Sequence, residues 1–400
     1  MHAAPREAVI VSACRTATGN FLGTLSSLTA PRLGAVVIKE AVKRAGIEMG
    51  QVQEVIMGQV LQGGCGQAPA RQAAIAAGVP PEAGAMTINK VCGSGLKAVE
   101  LAAQAVMLGD LDVIVAGGME SMSHAPYMLH GARGGFKFGH QQLTDGMILD
   151  GLWDSFNDFH MGVAAELTAE KEKLTREDLD RYALGSQMKA VKAIQEGKFK
   201  SEIVPLEIPQ RKGDPVVFDT DETPRPKTTA EILTKLRPAF KKDGLLTAGN
   251  SPGLSDGAAA VVVMAREKAE QLGVQPMARI RGYATGGAEP KWLFYAPIDA
   301  VKKLMAKLDM TIDDFELIEA NEAFSAQALA DGNHLGWDWN RVNVHGGAIA
   351  LGHPIGASGA RVLVTLLYAL RDRGKKTGLA TLCLGGGNAV AMCIEMMSEK

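Results

Sequence analysis

The sequence predicts an α/β fold built from two similar halves, with a long segment inserted into the first. Three observations predict it. Short β-branched runs alternate with amphipathic helical stretches, as in layered α/β proteins. Four segments of the first third recur in the last third in the same order. Between them, residues 120–247 lose this rhythm and become rich in Gly, Pro and charge.

Ala8 to Ser12 is a β-branched apolar run that reads as a buried strand. Thr29-Ala30-Pro31 is a helix start with proline in the first turn. Leu33, Val36, Val37 and Ala41 then share one face, and Gly46 ends the helix. A strand over Val55 to Val60, a short helix over Pro69 to Gly78 and a strand over Met86 to Ile88 follow. Ser94 to Leu108 is a helix and Val113 to Ala116 the next strand, so a parallel-rich layer is expected. The middle block carries two helices, the second opened by Thr175-Arg176-Glu177-Asp178, which has the form of a capping box. Strand pattern resumes at "GAAAVVVMA", Gly257 to Ala265.

The repeats set the domain boundaries. "EAVKRAGI" pairs with "DAVKKLMA" at an offset of 259 residues (Glu40 to Asp299), and "CGSGLKAV" with "GASGARVL" at 264 (Cys92 to Gly356). Each of the latter helices leads into a strand that ends in glycines, "DVIVAGG" and "ATLCLGGG". The first half therefore spans 1–119 and returns over 248–272, the inserted loop domain spans 120–247, and the second half spans 273–400. Two such halves bring equivalent helix N-termini together, where unpaired N–H groups favour anions.

Composition excludes several classes. The 400 residues are 46% hydrophobic and 22% charged, enough for a large core. A net charge of -2 gives no global reason to expect a nucleic-acid or membrane-surface partner. The longest uninterrupted apolar runs, such as Ala258 to Ala265, are too short to span a bilayer. The N-terminus lacks the basic start and apolar stretch of a secretion signal. Five widely spaced cysteines argue for reduced thiols in a cytoplasmic protein rather than a disulfide framework, and no spacing suggests a metal site.

One cysteine stands out. Cys92 sits where a strand turns into the helix at Ser94, flanked by Gly93 and Gly95. The helix dipole favours a thiolate there and lowers its pKa, while the glycines let a substrate approach the backbone. An inert buried cysteine is an equal reading of this stretch alone. His353, just before the repeat-related helix, could take the thiol proton, though a turn histidine bonded to backbone fits the same position. Cys383 ends a strand in "CLGGGNA", and Asn321 lies at a strand-to-helix turn where a simple cap is the plainer role.

Taken together these stretches resemble the thiolase family, closest to its biosynthetic branch. The resemblance covers the whole chain through "NKVCGSGLKAV", "AGGMESMSHAPY", "HMGVAAE", "KLRPAF", "TAGNSPGLSDGAAA", "EANEAFSAQA", "GGAIALGHPIGASGAR" and "GLATLCLGGG". It implies duplicated halves layered α/β/α/β/α. It also implies Claisen condensation of two acetyl-CoA to acetoacetyl-CoA, and the reverse thiolysis, through an acetyl-cysteine. Cys92 would be the nucleophile, His353 its activator and Cys383 the base on the second acetyl-CoA. Asn321 would hold a water beside the enolate oxygen, and the N–H groups of Cys92 and Gly385 would form an oxyanion hole.

Coenzyme A is then a substrate, with no tightly bound cofactor. By similarity Arg225 would face a CoA phosphate. His160, Met161, Phe240, Ala248, Ala323 and Phe324 would line the pantetheine and acyl ends, each equally readable as core. A homotetramer, a dimer of dimers, is implied, with "HGARGGFKFGH" resembling the loop that joins dimers. Four departures touch this pattern. Pro252 replaces a serine, "KWLFYAP" (Lys291 to Pro297) replaces small residues, Asn388-Ala389 replaces a pair ending in glycine, and His345 replaces an asparagine. A broad-range 3-ketoacyl-CoA thiolase, a decarboxylating ketoacyl synthase and a catalytically silent scaffold are the competing readings. The second catalytic cysteine separates the resemblance from the synthases, and the intact catalytic set from the scaffold.

Overall fold

Nine strands of one mixed sheet organise the chain. In the computed structural model, which describes residues 6–210 and 213–397, they are β1 (Ala8–Thr16), β2 (Glu54–Gly58), β3 (Gly84–Ile88), β4 (Val113–Ser121), β5 (Ser255–Ala265), β6 (Ala278–Gly287), β7 (Leu317–Ala320), β8 (Thr377–Leu384) and β9 (Asn388–Met396). Their order is β7-β8-β9-β6-β1-β5-β4-β2-β3, with two short strands attached off this path. The halves mirror one another, and they join where β1 meets β6 through Val9 opposite Arg279 and Ile10 opposite Ala278.

The sheet differs from the parallel-rich expectation. Only β2–β3, β2–β4 and β7–β8 pair in parallel along this path, and the central pairs run antiparallel. Each half contains a strand antiparallel to both neighbours: β5, which re-enters after the inserted segment between β1 and β4, and β9 between β6 and β8. Two strands also exceed their sequence signal. β1 continues to Thr16 and β4 to Ser121, through Gly117 and Gly118. Gly118 reads as a strand end but is dictated by packing: a Cβ there would lie 2.2 Å from Gly356 O.

The helices of the core are α1 (Ala30–Ala45), α2 (Pro69–Ala77), α3 (Ser94–Leu108), α4 (Met161–Lys171), α5 (Arg176–Gln195), α6 (Ala296–Leu308), α7 (Ser325–Leu335) and α8 (Ser358–Asp372). α1 starts at Thr29 with Pro31 in its first turn and stops at Gly46, whose φ of 68° suits glycine. α5 has the expected box: Asp178 N donates to Thr175 Oγ1 at 3.2 Å and Thr175 N donates to Asp178 Oδ2 at 2.9 Å.

Three apolar clusters show the layering. α1 and α2 cover the outer face of the first half. α3 and α8 lie together between the inner faces of both halves. α6 covers the outer face of the second half. The result is α/β/α/β/α. The stretch Val91–Leu108 is long and apolar enough to match a membrane span, which the uninterrupted runs alone did not reveal. Its place between the two halves of the sheet accounts for that composition.

The middle layer is held at one crossing. A Cβ on Gly95 would lie 2.7 Å from Ala360 N, and one on Gly359 2.5 Å from Leu96 N. The offset of 264 carries Gly95 to Gly359 and Leu96 to Ala360, so the two contacts are images of each other across the pseudo-dyad. Glu120 adds a polar tie. Its buried carboxylate accepts from Val60 N (3.0 Å) and Leu61 N (3.1 Å) in the first half, and from Gly356 N (2.8 Å) in the second.

The inserted segment is anchored to β1 and shares a core with the second half. Arg15 donates to Asp221 Oδ1 at 2.6 Å and to Glu202 Oε1 at 2.5 Å, all three groups being buried. Ala164, Ala165, Leu179 and Leu246 pack in one cluster with Phe294, Phe324 and Cys383.

Gly95→Ala and Gly359→Ala are each expected to destabilise the fold by about 1–3 kcal/mol or more, because a methyl group would meet backbone rather than a movable side chain. Urea unfolding checks this, and wild-type midpoints for both variants would contradict it.

Candidate active site

The turn before α3 exposes the thiol. Val91 is held at φ 45°, a region that a β-branched residue rarely enters. Such a position costs about 1–3 kcal/mol and persists only where neighbours hold it. Here they do. Asn89 Oδ1 accepts from Val91 N at 2.9 Å, and Ser94 Oγ accepts from Lys90 N at 2.8 Å and donates to Val91 O at 2.6 Å. Cys92 follows and opens onto a cavity of about 410 Å³.

That cavity gathers eleven of the twelve predicted site residues. Cys92, His353, Cys383 and Gly385 line it at one end. His160, Met161, Arg225, Phe240, Ala248, Ala323 and Phe324 line the remainder. The twelfth, Asn321, lies just beyond β7, fully buried, and is not among the lining residues. Neither polar atom of its carboxamide has a hydrogen-bond partner among the described residues. Its backbone N donates to Thr381 O at 3.0 Å, two residues before Cys383.

The thiols are not the acidic groups expected from a helix N-terminus. Burial pushes the Cys92 thiol up to about 12, and the backbone N–H groups of Gly385 and of Cys92 itself pull it down only in part. The partial positive end of one helix is outweighed by desolvation. Burial raises Cys383 well above its usual value too, with Cys92 and Asp331 adding to the rise. Glu120 lies near enough to raise Cys92 further, and burial lifts its own carboxyl to about 7.

His353 is 8% exposed and burial holds it down to about 3, so it is neutral at physiological pH. Its Nδ1 lies 2.6 Å from Ser358 Oγ, and that hydroxyl donates to Pro354 O at 2.9 Å. With Ser358 Oγ donating to Pro354 O, the tautomer that carries its proton on Nδ1 donates to Ser358 in turn. Nε2 is left unprotonated and able to accept a proton.

The far end is apolar and ringed by aromatics. His160 caps α4 by accepting from Gly162 N at 3.0 Å through Nδ1, and its ring stacks on Phe240 at 5.1 Å. Phe240 meets Phe324 edge-on at 5.8 Å. Arg225 is exposed at the rim, held through its backbone N to Gln187 Oε1 at 2.8 Å, and no carboxylate pairs with it among the described residues. Pro252 lines the cavity beside Ser251, whose hydroxyl has no partner.

Sequence reasoning missed several contributors. Met147, Ile148, Leu254 and Ile355 complete the apolar lining. Ser358 orients His353, and its helix-start position was its one visible signal. Asp331 is fully buried on α7, bonded through Oδ2 to Gln327 Nε2 at 2.5 Å. Two of the four departures lie outside the cavity lining. His345 packs edge-on to Phe199 at 5.9 Å, and Asn388 Oδ1 accepts from Lys90 Nζ at 3.0 Å.

These features define a thiol-dependent acyl-transfer site, and the chain belongs to the thiolase family. Residues 8–267 match the family described as "Thiolase, N-terminal domain" and residues 274–396 match "Thiolase, C-terminal domain". Among its relatives, the acetyl-CoA acetyltransferase of Pseudomonas aeruginosa is 57% identical over 389 residues, covering 97% of this chain and 99% of the relative. That of Syntrophomonas wolfei is 54% identical over 396 residues, covering 98% and 100%. The crystal structure of the Bacillus anthracis acetyl-CoA acetyltransferase superposes with a TM-score of 0.96 at 44% identity, covering 98% of this chain and 100% of that one.

Below a thiol pKa of about 12, the thiolate fraction rises with pH. Alkylation of Cys92 by iodoacetamide, followed by peptide mass spectrometry, is expected to speed up about 10-fold per unit from pH 7 to 10. A plateau below pH 8 would instead reveal the acidic thiol that the helix position suggested.

Proposed function

We propose that this protein is an acetyl-CoA C-acetyltransferase. It joins two acetyl-CoA into acetoacetyl-CoA and CoA, and it catalyses the reverse thiolysis. The observation that carries the reading is convergence: two cysteines, a neutral histidine and Gly385 line one cavity. The names of the relatives support the substrate.

The chemistry follows from the groups present. A thiol held near a pKa of 12 needs a base, and unprotonated His353 Nε2 takes its proton as the sulfur attacks the acetyl carbonyl. The tetrahedral oxyanion receives the N–H groups of Cys92 and Gly385. CoA leaves as a thiol, taking the proton of Cys383, so that an acetyl-Cys92 thioester, a Cys383 thiolate and a His353 still protonated on Nε2 remain. A second acetyl-CoA enters. The Cys383 thiolate removes a proton from its methyl carbon, and the enolate oxygen accepts from His353 Nε2–H and from a water on Asn321. The unpartnered carboxamide of Asn321 supports that role. The carbanion attacks the acetyl-Cys92 carbonyl, the carbon–sulfur bond breaks, acetoacetyl-CoA forms, and the Cys92 sulfur takes back the proton held on His353 Nε2. Because thioester is exchanged for thioester in the first step, that step is nearly balanced and runs either way. Arg225 at the rim suits a CoA phosphate as a permanent charge.

Incubation with acetyl-CoA is expected to add one acetyl group to Cys92, read by peptide mass spectrometry. Cys383→Ser should retain the adduct but lose condensation by about 100-fold or more, as general-base removal does. An enzyme without an acetyl adduct, or one still acetylated at that site in Cys92→Ser, would sink the reading.

A homotetramer belongs to the same reading. Tyr127, Phe136, Phe138 and Leu143 are exposed large apolar groups within or beside the loop His130 to His140, and Phe138 is fully open to solvent. Such a patch is unusual on a monomer. Sedimentation velocity is expected to give a tetramer for the wild type and a smaller species for Phe138→Asp.

A further inference from the structure

The bulky segment Pro290–Tyr295 forms a wall of the cavity that the chemistry above does not use. Leu293 and Phe294 are 1% and 2% exposed, and both line the cavity with Cys383 and Phe324. The Phe294 ring meets Phe324 at 5.5 Å and 65°. Phe324 meets Phe240, and Phe240 stacks on His160. The four rings form a continuous arc.

The residues on either side of this pair are fastened from outside. Trp292 has non-helical backbone (φ -108°, ψ 31°) inside the turn. Lys171 Nζ lies 4.1 Å from the Trp292 ring centre and 4.3 Å from that of Tyr295. Tyr295 Oη donates to Glu172 Oε1 at 2.7 Å, and His334 Nε2 lies 3.0 Å from the same oxygen. Lys171 and Glu172 end α4, whose other end carries His160 and Met161. The wall is therefore tied to the helix that frames the opposite part of the cavity. A cation between two ring faces and a hydrogen bond to a carboxylate both resist its outward movement. Movement inward is blocked by Phe324.

An acyl chain two carbons longer needs space that such a wall cannot yield without overpacking. We propose that Phe294, held in place by the Lys171–Trp292–Tyr295–Glu172 clamp, is the specificity-determining residue that limits the acyl group to the acetoacetyl length. This inference rests on the acyltransferase reading of the cavity. It assigns to this segment the choice between an acetoacetyl-CoA enzyme and a broad-range 3-ketoacyl-CoA thiolase.

The test is thiolytic cleavage of acetoacetyl-CoA, 3-ketohexanoyl-CoA and 3-ketooctanoyl-CoA, compared as ratios of kcat/KM. The wild type is expected to favour acetoacetyl-CoA by about 10-fold or more over either longer substrate, the scale at which a pocket discriminates methylenes. Phe294→Ala should raise the ratio of 3-ketohexanoyl-CoA to acetoacetyl-CoA by about 10-fold. Phe294→Leu, a milder change, serves if the alanine variant does not fold. Tyr295→Phe, outside the cavity, should raise the ratio by a smaller factor of about 3, since it loosens the clamp and leaves the ring. A wild type that cleaves the longer substrates equally well overturns the inference. So does a folded Phe294 variant, melting like the wild type, whose ratio is unchanged. Absence of acetoacetyl-CoA cleavage by the wild type would overturn the acyltransferase reading itself, and the inference with it.

Discussion

The close crossing of α3 and α8 is the contact on which the rest depends. Gly95 lies against Ala360 and Gly359 against Leu96, so the two backbones approach where any side chain would intervene. The contact orders both halves at once, because each helix follows a catalytic turn. Cys92 precedes one helix and His353 precedes the other. The crossing thus sets the distance between nucleophile and base, and Glu120 secures the same seam through N–H groups of both halves.

Burial sets the electrostatic character of the site. Both thiols are raised and the histidine is lowered, so all three groups are neutral in the free protein. Neutrality avoids charge in an apolar cavity, which would be costly. It also makes acid–base transfer a part of each step rather than a prior condition. The backbone N–H groups of Gly385 and Cys92 favour negative charge that arises only when a proton moves to His353.

Much of the fold was legible in local pattern. The start of α1 at Thr29-Ala30-Pro31, the box at Thr175 and the helix from Ser94 to Leu108 are all written in neighbouring residues, where capping and periodicity act. The repeat was legible because a duplicated fold needs the same small residues at the same crossing. Strand direction was not. β5 and β9 each run antiparallel to both neighbours, and alternation of strands and helices carries no record of that.

The site divides in the same way. The candidate residues were legible in the sequence, since Cys92, His353, Cys383 and Asn321 sit in stretches whose glycines and turns have few other uses. How those residues behave was decided by the tertiary structure. Desolvation depends on what packs around a group, so the helix position of Cys92 pointed to a lowered pKa while the folded surroundings raise it. The proton on His353 is set by Ser358, and the wall of the cavity by a clamp joining α4 to residues more than a hundred positions away. Such through-space terms arise only when distant segments meet.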